Sequence, residues 1–100
     1  MHIYELPPSI RGVTKKHAAA GTAEEVTGVP PFLAGTVIQL SGNTATLYLG
    51  ATKLEAEAHK FAIGVYTHAV RILLPKTATT FWVDTGANAS YTATQIHAVD

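Results

Sequence analysis

Five histidines in 100 residues, at positions 2, 17, 59, 68 and 97, are the side chains best suited to binding a metal or moving protons near neutral pH. Their spacing argues against metal: there is no His-x-His, no His-Glu-x-x-His and no pair at helical ligand spacing. His59 beside Glu55 and Glu57 would offer a cation site on a helix, but on a strand the three make a solvated polar face. No metal and no cofactor is expected. Ser9, Ser41 and Ser90 fall where turns or loops are expected, and none lies in a Gly-x-Ser-x-Gly elbow that would expose a nucleophile. Gly21 and Gly28 neither follow a strand nor precede Lys-Ser/Thr, so a phosphate cradle is missing. Tyr48, Tyr66, Phe81 and Trp82 could stack bases, but aromatics in strands mostly build cores and no basic groove accompanies these. Seven basic residues, Arg11, Lys15, Lys16, Lys53, Lys60, Arg71 and Lys76, are scattered and balanced by seven acidic ones. Nucleic acid is therefore not an expected partner.

The segment Asp84-Thr85-Gly86-Ala87, preceded by Phe81-Trp82-Val83, resembles the Asp-Thr-Gly-Ala element of retroviral-type aspartic proteases. The resemblance implies that Asp84 would be a catalytic carboxylate sharing a proton with its twin from a second chain. In that family the motif lies in the first third of the protomer and is followed by a flap hairpin and a supporting strand. Here 14 residues follow Gly86. Asp and Gly flanking Thr after an apolar strand are ordinary loop chemistry, and a catalytic role is not expected.

Any such group must be positioned by a single domain, because 100 residues hold one core and little more. The absence of cysteine removes disulfides, thiolate metal sites and thiol nucleophiles. No apolar stretch is free enough of Pro and Gly to span a membrane, and the N-terminus shows no basic, apolar leader. Ala (16) and Thr (14) dominate, charged residues are 14% against a usual ~25%, and only eight of those 14 charges lie after residue 28. Residues 1–28, with breakers at Pro7, Pro8, Gly12, Gly21 and Gly28, read as an extended N-terminal arm with at most a helical turn at 14–20, or as a strand and loop folded onto the domain. Residues 29–100 read as a β domain. Thr36–Ser41 and Thr44–Leu49 flank Gly42-Asn43 and read as a hairpin in which Leu40 faces Ala45, Ile38 faces Leu47 and Val37 faces Tyr48. Residues 53–60 alternate as an edge strand or form an irregular polar segment, with one or two helical turns as the alternative. Strands are expected at 61–68, 69–74, 79–83 and 91–99. The fold expected is all-β, a compact sandwich or barrel-like domain of six or seven short strands.

A surface poor in charge and rich in Ala and Thr suits a subunit that stays docked. The runs Phe32-Leu33-Ala34-Gly35-Thr36-Val37 and Phe61-Ala62-Ile63-Gly64-Val65, followed by a strand ending near Val83, resemble the cadence of small capsid decoration, or cement, proteins of tailed bacteriophages. The resemblance implies a β domain on the capsid exterior, commonly trimeric, whose arm joins a strand of the major capsid protein. Ile3, Tyr4, Leu6 and Ile10 are then the apolar anchors of the arm into the partner, or else fold back on their own domain. Val37, Tyr48, Arg71 and Leu73 are the candidates for self-association. A head–tail connector or tail or fibre subunit would share this composition, and a small ligand-binding β-barrel with Phe61, Tyr66 and Trp82 around a pocket is the reading from another class.

Overall fold

The computed structural model describes residues 3–4, 10–65, 68–96 and 98–99. Short strands rich in Val, Ile, Leu, Thr and aromatics, cut by Gly, Pro and Asn, form two four-stranded antiparallel sheets. One sheet runs β2 (Gly12–Lys16), β9 (Ser90–Ile96), β4 (Val37–Ser41), β7 (Val70–Leu73). The other runs β3 (Glu24–Val26), β8 (Phe81–Asp84), β5 (Leu47–Gly50), β6 (Ala62–Ile63). A third pairing joins β1 (Ile3–Tyr4) to β10 (Ala98–Val99). The sandwich half of the expectation holds; the sheets are open, so the molecule is not a closed barrel.

Strict alternation decides what each strand buries. Ile38 and Leu40 of β4, Tyr91 and Ala93 of β9, Leu47 and Leu49 of β5, and Phe81 and Val83 of β8 point between the sheets. With Val26, Phe32, Ile63 and Leu74 they form one continuous core, in which the Phe32 and Phe81 rings stack at 6.3 Å. Gln95 is the polar exception on that face, and its Oε1 accepts the Leu33 N–H at 2.8 Å.

Between β2 and β9 the chain changes sheet at six of the seven links; only β5 and β6 are successive strands of one sheet. This corrects the hairpin at Gly42-Asn43. β4 pairs with β7 and β9, whereas β5 pairs with β6 and β8. The alternation expected for both strands is right, but it reports only which side chains are buried. Leu40 and Leu47 meet the same core from opposite sheets. Gly42 takes φ +64° where the chain arches over, and the Asn43 side-chain amide donates to the carbonyls of Ala45 (3.1 Å) and Gly64 (2.9 Å).

Two further expectations change. Residues 53–57 form a helix, α1 (Lys53–Glu57), because the Thr52 hydroxyl accepts the Glu55 N–H at 3.3 Å, a Thr-x-x-Glu start that outweighs the alternation. The segment 1–28 is not an arm throughout: Gly12–Lys16 is paired along its length with β9, and Glu24–Val26 with β8. Neither β2 nor β3 has another strand neighbour among the described residues, and no helix forms at 14–20 because Thr14, Lys15 and Lys16 are ladder residues.

Candidate functional site

The polar residues that matter collect at the end of β8. Phe81 and Val83 enter the core, so Trp82 and Asp84 are turned to the opposite face of the sheet, where Asp84 lies level with Tyr48. Two segments cover that face. α1 lies across Gly50, and the loop between β2 and β3, residues 17–23, folds over Asp84.

Asp84 is only 1% exposed and both its oxygens are engaged. Oδ1 accepts the Gly21 N–H at 2.9 Å and lies 3.3 Å from His17 Nε2, while Oδ2 is 2.5 Å from His59 Nε2. His59 reaches it because it follows α1 in the left-handed conformation, φ +57°, a helix-ending position more often given to Gly or Asn. Its ring stacks on Tyr48 at 3.8 Å between centroids and 10° between planes. His17 is completely buried. Its N–H donates to the Ala89 carbonyl and its own carbonyl accepts the Asn88 N–H, both at 2.8 Å. Its ring stands between two carboxylates, with Nδ1 3.5 Å from Glu24 Oε2. Neither ring nitrogen has a hydrogen bond of good geometry among the described residues, so the pairing is one of charge and proximity. Glu24 accepts the Ala18 N–H at 2.8 Å and pairs with Lys15 Nζ at 3.3 Å.

These contacts set the acidities. Burial acts to raise the Asp84 carboxyl, but the His59 bond, the Gly21 amide and the charges of both histidines outweigh it and hold the group below its ordinary value of 3.8. The Ala18 amide, with Lys15 and His17, holds Glu24 below 4.5 despite some burial. Burial, and then the Glu24 charge, push Tyr91 up. The Tyr91 hydroxyl is buried with no hydrogen-bond partner among the described residues. Tyr91→Phe therefore leaves no donor stranded and is expected to be neutral or to raise the unfolding free energy by up to about 1 kcal/mol in urea denaturation; a loss above that would reveal a partner for the hydroxyl.

Chemically the arrangement is a charge chain, Lys15, Glu24, His17, Asp84 and His59, running from the sandwich end to the partly exposed His59 ring. His59 on Asp84 has the form of an oriented base, but no nucleophile is hydrogen-bonded to it, and among the described residues no group of three His, Asp or Glu side chains could hold a metal ion. The sequence reading placed Asp84 in a loop and His59 on a solvated face; the structure joins them, and adds His17. Separations of 25 and 67 residues carry no motif, and only the folded topology unites these groups.

A second feature is an open apolar groove of about 440 Å³ between the β7 and β6 ends of the sandwich, lined by Leu49, Phe61, Leu73, Leu74 and Phe81 with Glu55 and Lys60 also at its wall. Of the self-association candidates, Val37 lies level with Leu73, two residues along from Arg71, on the outer face of its sheet. Tyr48 is on the other sheet, against His59, because the hairpin that would have set it beside Val37 does not form. Ile3 and Tyr4 pair with Val99 and Ala98, Ile10 is 57% exposed, and Leu6 lies outside the described residues. No family model, no curated protein and no solved structure matches the chain.

Proposed function

We propose that the protein is a structural subunit of a virion, a capsid decoration protein that binds the outer shell formed by the major capsid protein and associates with copies of itself, as a trimer. The observation that carries this reading is the edge position of β7, whose one strand neighbour among the described residues is β4. Leu73 is 72% exposed there, beside Val37 and next to the apolar groove with Phe61, also exposed. An unpaired edge with large apolar side chains favours association unless charge protects it, and Arg71 is the one charged side chain on β7. The near absence of net charge adds to the tendency. The partner-binding part of the N-terminus is then the stretch between Tyr4 and Gly12, since Ile3–Tyr4, Gly12–Lys16 and Glu24–Val26 pair within the chain.

Sedimentation equilibrium of the purified chain, followed by binding to expanded shells of a tailed-phage major capsid protein, tests this. A trimer that saturates the shells is expected. Leu73→Asp should weaken self-association at least about tenfold, the effect of about 1.4 kcal/mol. A monomer indifferent to shells would overturn the reading. The groove itself favours one other reading, a binder of small apolar molecules, since its volume falls in the range of ligand sites; of the residues expected to line such a pocket, Phe61 does and Trp82 does not. Capture of an apolar dye by the monomer would support it.

A further inference from the structure

We propose that His17, Glu24, Asp84 and His59 form an acid-released latch, which holds the loop between β2 and β3 against the sandwich and lets it go while both sheets remain intact. The inference is independent of the virion reading.

The loop is attached in an unusual way. Residues 18–22, Ala-Ala-Ala-Gly-Thr, are all exposed, and beyond His17 only Ala23 is buried, so little apolar surface holds the segment down. Its amides end instead on carboxylates: Ala18 on Glu24, Gly21 on Asp84, and Ala23 on Glu57 of α1 at 2.9 Å. A carboxylate accepts strongly, and protonation weakens it as an acceptor and removes its charge. His17, at the root of the loop, sits fully buried between two of these acids. An imidazole carries positive charge in acid. Once Glu24 and Asp84 are neutral, the buried imidazole has lost both of the carboxylates it stands between.

The groups facing the latch come from every element around it: Lys15 from β2, Glu24 from β3, Tyr48 from β5, Glu57 from α1, His59 from the turn after it, Asp84 from β8 and Tyr91 from β9. Among the described residues Asp84 is the one buried acid, and it ends β8 on the sheet face opposite Phe81 and Val83, away from the core between the sheets. Acid therefore acts on the loop before it acts on the sandwich. The sign follows from the direction of the shifts. Both acids are held below their ordinary values of 4.5 and 3.8, so the latch is complete above pH 4.5 and is lost only as pH falls below it.

The test is amide exchange and chemical shift by NMR on the full chain from about pH 7 to 2.5. Ala18, Gly21 and Ala23 should lose protection at least about tenfold over the acid range while Leu40, Val83 and Ala93 keep theirs. His59→Gln removes the ring charge that helps to lower Asp84, so release should move to higher pH. Asp84→Asn should make the Gly21 response independent of pH. If loop and core amides were lost together, or if the His59→Gln release fell at the wild-type pH, the latch would be ruled out. His59 is partly exposed, so that variant remains informative even if Asp84→Asn fails to fold.

Discussion

Asp84→Ala is expected to lower the unfolding free energy by about 3 kcal/mol at neutral pH, measured by urea denaturation. Two groups lose their acceptor at once, the Gly21 amide and His59, and the completely buried His17 ring loses the carboxylate 3.3 Å from it. Removing one member of a buried charge pair typically costs about 3–5 kcal/mol, because the partner stays buried and uncompensated. The lower end applies here, since the His59 side chain is 43% exposed and water screens its share. Asp84→Asn should cost less, because the amide oxygen can still accept from Gly21. The difference between wild type and Asp84→Ala should also shrink in acid. The folded-state value lies below 3.8, so the contribution is full above that pH and disappears as pH falls through the depressed value. A loss under about 1 kcal/mol at pH 7 would mean that the loop is held by something other than this carboxylate.

Gly50→Ala should be nearly as damaging, by about 2–3 kcal/mol, for a steric reason. A Cβ at that position would stand 2.5 Å from the Ala56 nitrogen, 2.7 Å from Glu55 Cβ and 2.8 Å from the Glu55 carbonyl carbon. Two of the three are backbone, so no rotamer change relieves the contact; α1 must lift from the sheet, and forced overpacking of this kind costs about 1–3 kcal/mol. Because His59 follows directly on α1, its bond to Asp84 should loosen with it. Denaturation combined with the pH titration of the His59 ring shows both effects. An unchanged His59 titration in a destabilised Gly50→Ala would separate the helix from the charge chain.

What the sequence reveals of this fold is local. Apolar alternation in 36–41 and 44–49 identifies Ile38, Leu40, Leu47 and Leu49 as core, and they are. The same alternation has no bearing on whether two adjacent strands pair or face each other across a core, which is why the hairpin reading failed. The helix at 53–57 was betrayed by Thr52 and Glu55 more than by periodicity. At the polar cluster the residues are ordinary singly: a histidine before three alanines, another after a short helix, an aspartate ending an apolar strand. Their meaning comes from β8 and the β2–β3 loop meeting on one sheet face, a contact between distant parts of the chain that composition and spacing do not encode. The β7 edge was partly legible, since Arg71 and Leu73 were among the candidates for self-association, whereas Tyr48 was grouped with them only through the incorrect register.

The order in which strands leave the ribosome matters for a sandwich of this design. β9 is the strand that joins β2 to β4, and β8 is the one that joins β3 to β5. Each sheet thus receives its joining strand after most of its other members have been synthesised. A nascent chain stalled before residue 81 would carry β2 and β3 with nothing to pair against and the apolar faces of β4 and β5 uncovered. Folding during synthesis is therefore withheld until residues 81–96 have cleared the exit tunnel. Through that interval the growing polypeptide exposes apolar surface that the finished fold buries, the condition under which incomplete chains aggregate.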